Sequence, residues 1–158
     1  MILVTLGTQK FQMNRLIEAM DNIAPELSEE VFIQTGNSTY VPNNCTHADF
    51  VDSAKFRNMI GECSMLITHS GVGSIMAGVN AHRPVIVVPR LVKYHEHVDD
   101  HQQQIAEAFA EKKMVIYCKD VDMLRQCIDE AKNFHFEPYD VKGGKVEDIV
   151  LNFMNLFD

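Results

Sequence analysis

Short runs of β-branched and apolar residues alternate with amphipathic stretches along the whole chain. Six runs have the length and composition of buried strands, and they cover residues 2–6, 31–35, 46–51, 65–68, 85–88 and 115–117. Between them, apolar residues recur with helical spacing; Leu16, Ile17 and Met20, for example, share one face of a helix predicted over 14–23. Regular alternation of strands and helices is typical of a parallel sheet covered by helices. The pattern therefore predicts a parallel α/β fold.

Further helices are predicted after each strand. Ser53 is the expected N-cap of the next one, and the remaining helices are predicted from the 69–74 turn to about 80, then over 100–111, 121–132 and 145–157. The last helix carries a broad apolar stripe formed by Val146, Ile149, Val150, Phe153, Met154 and Phe157. This stripe either packs on the sheet of its own domain or, together with Phe134, Phe136 and Tyr139, contacts another protein.

Composition limits the class of protein. A chain of 158 residues with 46% hydrophobic and 23% charged residues is that of one globular domain spanning residues 1–158. The net charge is 14 − 22 = −8, which argues against a free nucleic-acid binder, because cationic side chains dominate affinity for phosphate backbones. No apolar run reaches about 18 residues and no basic leader is evident, so a cytoplasmic protein is expected.

The four cysteines give no sign of a redox or zinc motif. Cys45, Cys63, Cys118 and Cys127 are widely and irregularly spaced, and no Cys-x-x-Cys pair occurs. Reduced and mostly buried thiols are the expected state.

The turn after the fourth strand carries the strongest chemical signal. Gly71 and Gly73 allow a ligand to approach the backbone, and the free amides of the following helix attract a phosphate or diphosphate. Ser70 or Ser74 can add a hydroxyl donor. The same loop can also be only a tight strand-to-helix connection, and it matches neither a Walker loop nor the dinucleotide fingerprint. Gly7-Thr8, after the first strand, is expected to form the neighbouring rim.

Residues 90–104 form the most polar segment of the chain. His95, His97 and His101 are spaced closely enough for a metal site to be considered. The neighbouring carboxylates and glutamine amides suit a ligand rich in hydroxyl groups equally well. A solvated loop is the third interpretation.

Four segments together carry a specific resemblance. Residues 4–8, 67–74, 83–90 and 96–102 resemble, in order and spacing, the donor-binding domain of family 28 glycosyltransferases. Within that family the chain is similar to the small catalytic subunits of two-component enzymes. These include bacterial exopolysaccharide transferases of the PssE type and the eukaryotic subunit that adds the second N-acetylglucosamine to a dolichol-linked sugar.

This resemblance implies a fold and an assembly. The expected fold is a Rossmann-like parallel sheet with helices on both faces, equivalent to the C-terminal half of a GT-B glycosyltransferase. A second, membrane-anchored polypeptide would supply the acceptor domain and recruit this subunit to the inner face of the membrane. Self-association is also possible.

The resemblance also implies roles for individual residues. The amides around Gly71, Gly73 and Ser74 would hold the donor diphosphate, with His69 and Ser70 beside it and Gly7 and Thr8 on the adjacent rim. The backbone of Val51 would bind the uracil edge, and Gln102 and Gln103, after His101, would bind the sugar hydroxyls. Arg90 and Glu96 are expected on the same rim. Ala77 occupies the place of a ribose-binding Glu found in many members, so ribose recognition must differ or use a residue such as Glu96.

The function implied is inverting transfer of a sugar from a UDP-sugar to a lipid-linked saccharide in polysaccharide biosynthesis, such as that of exopolysaccharide or capsule. No metal or other cofactor is expected. The general base is expected on the partner, although His69 or Glu96 could contribute. The alternative is a non-catalytic subunit that binds a nucleotide sugar or enhances another transferase.

Overall fold

A computed structural model of the protein describes residues 1–140 and 144–157, with side chains described up to residue 153. Six strands form one sheet: β1 (Ile2–Thr5), β2 (Val31–Gln34), β3 (Thr46–Ala48), β4 (Met65–Thr68), β5 (Val85–Val87) and β6 (Ile116–Tyr117). All pairings are parallel, and the order is β3-β2-β1-β4-β5-β6. The six predicted strands are confirmed, although several end one to three residues earlier than predicted.

The α-helices are α1 (Asn14–Ile23), α2 (Ser53–Glu62), α3 (Val72–Asn80), α4 (His101–Glu111), α5 (Leu124–Ala131) and α6 (Lys145–Phe157). Two details differ from prediction. The N-cap of α2 is Asp52 rather than Ser53, because the Asp52 carboxylate accepts a hydrogen bond from the amide of Lys55 at 2.8 Å. The helix predicted over 121–132 begins as a 3₁₀ turn, where the Asp120 carboxylate accepts from the amide of Asp122.

Both faces of the sheet are buried. Along β1 and β4 every residue is buried, and successive side chains point into two different cores. Val4 and Ile67 belong to the first core, which includes α1 and α5, whereas Leu3 and Leu66 belong to the second core, which includes α3, α4 and α6. Strands buried on both faces require helices on both sides. The predicted Rossmann-like fold is confirmed.

The last helix packs within the domain. Val146 and Val150 are buried in the second core, and α6 contacts α3 and α4. Part of the apolar stripe is therefore used internally, while the side chains of Met154 and Phe157 lie outside the described residues. Phe134 and Phe136 contact each other edge to face, with ring centroids 4.7 Å apart, and pack against the first core.

None of the four cysteines is in a disulfide. Cys63, Cys118 and Cys127 are buried, and burial raises the pKa of the half-buried Cys45 thiol to about 11. Within the described part of the chain, no helix has both the length and the apolar character needed to cross a membrane.

Candidate functional site

A pocket of about 540 Å³ opens at the carboxyl ends of the strands. Its walls come from three loops: Gly7–Gln9 after β1, the segment with Phe50 and Val51 after β3, and the turn after β4, which contributes His69 and Gly71–Ser74. A smaller pocket of about 330 Å³ lies at the opposite edge, near Pro84 and Met114. Since ligands of open parallel sheets bind at the carboxyl edge, the larger pocket is the candidate site.

The first turn of α3 presents backbone donors to this pocket. The first hydrogen bond of the helix runs from the amide of Ile75 to the carbonyl of Gly71, at 3.0 Å. The amides of Val72, Gly73 and Ser74 therefore have no acceptor within the helix, and no side chain caps it. Together with the positive end of the helix dipole, these donors favour an anionic group.

A histidine lies between two glycines at the pocket wall. A β-carbon built on Gly7 would overlap Nε2 of His69, and one built on Gly71 would overlap Cε1. Gly7 also has a φ of +73°, which disfavours any other residue. The loops after β1 and β4 can therefore enclose the imidazole only because both positions lack a side chain.

The His69 ring is neutral at physiological pH. Burial, followed by the positive charge of Arg90, lowers its pKa from 6.5 to about 3. With its side chain only 5% exposed, the ring contributes polarity to the pocket without charge.

A hydrogen-bond network fixes the floor of the pocket. The Thr5 hydroxyl donates to Oε1 of Gln34 at 2.6 Å, and Nε2 of Gln34 donates to the carbonyls of Gly7 and Asp49, at 3.1 and 2.8 Å. These bonds join the loop after β1 to the segment after β3. The peptide groups of Val51, two residues further on, have no hydrogen bond to any described residue and remain available to a ligand.

The opposite side of the pocket is apolar. Phe50, Phe56 and Phe153 line it, and Phe50 is 51% exposed. Phe153, from α6, stands over the glycine turn, because a β-carbon on Gly73 would lie 3.2 Å from its Cζ. Within the described residues, no Lys, Arg, Asp or Glu lines the pocket. The pocket therefore combines neutral donors with an aromatic wall.

Gln102 lies behind the pocket. Its side-chain oxygen accepts from the amides of Ser70 at 3.2 Å and Arg90 at 3.0 Å, and its side-chain nitrogen lies 3.4 Å from Nδ1 of His69. Only 4% of this residue is exposed. The side chain thus ties the loop after β4 to the one after β5, whereas the next residue, Gln103, is exposed.

Arg90 and Glu96 also have internal partners. The Arg90 guanidinium donates to the carbonyls of Leu6 and Phe11, at 2.5 and 3.0 Å, and so supports the loop after β1. Glu96 is fully buried, and its carboxylate accepts from Arg15 at 2.8 Å. Both charged groups thus have partners within the protein, and neither Arg90 nor Glu96 lines the pocket.

The structure thus separates the predicted site residues into three groups. Those that line the pocket are Gly7, Thr8, Val51, His69, Gly71, Gly73 and Ser74; those buried behind it are Ser70, Arg90, Glu96 and Gln102; those exposed on α4 are His101 and Gln103. Sequence reasoning missed Gln34 and assigned no site role to Phe153. Gln34 ends a buried strand at the ligand-binding edge, a position that could have indicated it.

The histidine-rich segment offers no metal centre in the described part of the chain. No group of three or more His, Cys, Asp or Glu side chains is placed to hold an ion there. His97 and His101 instead approach the Asp99 carboxylate, at 3.3 and 3.9 Å.

Comparison with known families decides the classification. Residues 1–145 match the glycosyltransferase family 28 C-terminal domain. The chain belongs to this family. The turn with Gly71 and Gly73 and the polar segment before α4 both fall inside the matched region of this family 28 domain, as does the whole parallel sheet. No curated protein matches the sequence significantly.

Solved structures share the fold of this family 28 domain at low sequence identity. The glycotransferase of kitacinnamycin superposes with a TM-score of 0.65 at 18% identity, over 98% of this chain and 38% of its own. ALG13 superposes with a TM-score of 0.60 at 17% identity, over 96% of this chain and 93% of its own. MurG of Acinetobacter baumannii superposes with a TM-score of 0.59 at 19% identity, over 98% of this chain and 49% of its own. The chain therefore spans about two fifths of the first protein, half of MurG and nearly all of ALG13.

Proposed function

We propose that this family 28 domain is the donor-binding subunit of an inverting glycosyltransferase. It would bind a UDP-sugar and transfer the sugar to a lipid-linked saccharide in polysaccharide biosynthesis, together with a membrane-anchored subunit that carries the acceptor domain. The observation that carries the proposal is the set of free amides at Val72, Gly73 and Ser74, which face a pocket shared with neutral His69.

A diphosphate suits these donors. Three amides that lack acceptors and a helix N-terminus can bind phosphate oxygens without a cationic side chain. The absence of lysine and arginine from the described pocket wall is consistent with binding by dipoles alone. A protein of net charge −8 can bind an anion in this way only where such local donors converge.

A nucleobase suits the other side of the pocket. The free peptide groups of Val51 offer one donor and one acceptor to the edge of a uracil ring. Phe50 and Phe153 supply an apolar surface beside it. Ala77 is partly buried against the second core and offers no carboxylate to ribose, and Glu96 is occupied by Arg15. Ribose recognition therefore differs from that of family members with a Glu in α3.

The proposed chemistry follows from these groups. An acceptor hydroxyl attacks the anomeric carbon, the bond from that carbon to the diphosphate oxygen breaks, and UDP leaves with the negative charge. The amides of α3 stabilise this charge as it develops, because they are already aligned. The pKa of His69 is lowered to about 3, which makes its ring a weak base, and Glu96 is buried in an ion pair, so neither is suited to accept the acceptor proton. We assign that base to the partner subunit.

One observation favours a second candidate function. Among the described residues that line the pocket, no side chain is a suitable general base. A subunit that only binds the nucleotide sugar and enhances another transferase would need none. This alternative retains the donor pocket and differs only in where the chemistry occurs.

Calorimetric titration with UDP and with a panel of UDP-sugars tests the donor pocket. We expect binding by the wild-type chain and a loss of at least about tenfold in Gly73→Leu, because its side chain would fill the pocket and press on Phe153. Gly73 is exposed, so melting temperature should change little. Unchanged affinity in the folded variant would exclude the glycine turn as the diphosphate site.

A transfer assay with the co-expressed membrane partner separates the two functions. Sugar transfer that requires both chains, and that falls in Gly73→Leu in parallel with donor affinity, supports the donor-binding subunit. Transfer by the partner alone that wild type accelerates supports the enhancer; since the enhancer uses the same donor pocket, Gly73→Leu should accelerate this transfer less than wild type.

A further inference from the structure

We propose that Gln102 is a positioning residue that holds His69 in the tautomer with its proton on Nε2, so that this N–H is directed at the ligand pocket. The proposal rests on the proposed function for the identity of the ligand, and it changes the role of Gln102. The sequence resemblance implied a contact with the donor sugar, whereas the geometry points to a group that acts through a histidine.

The orientation of the Gln102 amide is fixed by two backbone donors. The amides of Ser70 and Arg90 both point at one atom of the side chain, at 3.2 and 3.0 Å. A backbone N–H can only donate, so the atom that receives both must be the oxygen. The remaining atom of the side chain is therefore the NH₂ group.

The amide in turn fixes the tautomer of the imidazole. The NH₂ group of Gln102 lies 3.4 Å from Nδ1 of His69, and an NH₂ group can only donate. Nδ1 must then be the acceptor, and a neutral ring with an acceptor at Nδ1 carries its proton on Nε2. In a protonated ring, Nδ1 would also carry a proton and would face the NH₂ group donor to donor. This unfavourable contact agrees with the lowered pKa of His69.

The proton on Nε2 has a ligand within reach. Nε2 lies beside Gly7 at the pocket wall, where a β-carbon built on Gly7 would overlap it, and it has no hydrogen bond to any described residue. The same pocket receives the free amides of α3 from the turn after His69. An Nε2–H group here adds a fourth neutral donor for a diphosphate oxygen, whereas an unprotonated Nε2 would present a lone pair and repel it.

The experiment uses the ¹⁵N-labelled full chain and two variants of matched charge. Gln102→Glu keeps an oxygen for the amides of Ser70 and Arg90, but its second oxygen can only accept and therefore requires a proton on Nδ1. Gln104→Glu introduces the same charge at an exposed position of the same helix. Long-range ¹H–¹⁵N spectra of the imidazole rings report the tautomer, and a His69→Asn sample identifies the His69 signals among the seven histidines.

At neutral pH we expect wild type and Gln104→Glu to show a protonated Nε2 and to bind UDP equally. We expect Gln102→Glu to show the proton on Nδ1 and to bind UDP at least about tenfold more weakly. A wild-type spectrum with the proton on Nδ1, or on both nitrogens, would overturn the proposal, as would unchanged UDP affinity in a Gln102→Glu protein whose proton has moved.

Two further outcomes remain decisive. If Gln102→Glu does not fold, the wild-type spectrum alone tests the tautomer. If the wild-type chain does not bind UDP, the proposed function fails, and the spectrum still decides whether Gln102 holds the ring as described.

Discussion

Gly71 lies directly against the imidazole of His69, so closely that a β-carbon at this position would overlap Cε1 of the ring. The ring cannot move away freely, because Gln102 contacts its Nδ1 and Gly7 lies beside its Nε2. Gly71 itself has an ordinary backbone conformation, with a φ of −85°. It is therefore the proximity of His69, rather than backbone strain, that requires glycine here.

Gly71→Ala should displace the His69 ring and with it a donor of the pocket. We expect a loss of UDP affinity of about tenfold or more, and destabilisation of about 1–3 kcal/mol from overpacking. Calorimetric titration and urea unfolding measure the two effects. The matched control is Gly61→Ala in α2, where the new β-carbon meets nothing within 4 Å. It should leave UDP affinity unchanged and stabilise the fold by roughly 0.5–1 kcal/mol. Equal UDP affinity in both variants would contradict the role assigned to Gly71.

The buried His69 should make stability depend on pH. Its pKa is about 3 in the folded chain and near 6.5 when exposed, so the unfolded state binds more protons between these values. The contribution of the neutral His69 ring to the free energy of unfolding is therefore fully present above pH 6.5. It is lost as the pH falls toward 3, by at most about 1.4 kcal/mol per pH unit. Urea unfolding of wild type and His69→Asn from pH 7 to 4 measures it. A free-energy difference between the two that stays constant over this range would show that His69 is not held neutral.

The two adjacent glutamines should respond differently to truncation. The family resemblance assigns Gln103, which is exposed on α4, to the donor sugar, so Gln103→Ala should weaken binding of the UDP-sugar by up to about tenfold and leave UDP affinity unchanged. Gln102→Ala should weaken UDP and UDP-sugar by the same factor, because its side chain contacts His69 and the backbone of two loops. Paired titrations with both ligands measure the ratio. A selective loss of the UDP-sugar in Gln102→Ala would return this residue to the sugar pocket.

The Arg15–Glu96 ion pair should matter for stability. Glu96 is fully buried, and Arg15 is only 15% exposed. Arg15→Met would leave a buried carboxylate without its cation, which costs about 3–5 kcal/mol. The control is Arg125→Met, whose pairs with Glu26 and Asp129 are on the surface and are worth roughly 0–1 kcal/mol. Urea unfolding measures the free energy of unfolding of both variants, and an equal decrease in Arg15→Met and Arg125→Met would argue against the structural role of Glu96.

The pattern of apolar residues was sufficient to predict the sheet and its helices. Helices α1 and α6 begin and end where their spacing predicts, because helical periodicity is a local property of the chain. The glycine turn was likewise recognisable, since Gly71, Gly73 and Ser74 are neighbours in the sequence and act through their own backbone. The cap of α2 shows the limit of such local reasoning, because Asp52 and Ser53 are both good N-caps and only the backbone geometry selects one.

Only the tertiary structure decided which polar side chains face the pocket. The sequence predicted the same pocket rim for two groups of residues. One group lines the pocket, and the other consists of Arg90, Glu96 and Gln102, which do not. Their partners, however, lie far away along the chain: Arg90 reaches the carbonyl of Leu6, and Glu96 pairs with Arg15. A sequence states that a carboxylate, guanidinium or amide is present. Whether it meets a ligand or another part of the protein depends on which distant segments the fold brings within hydrogen-bond distance.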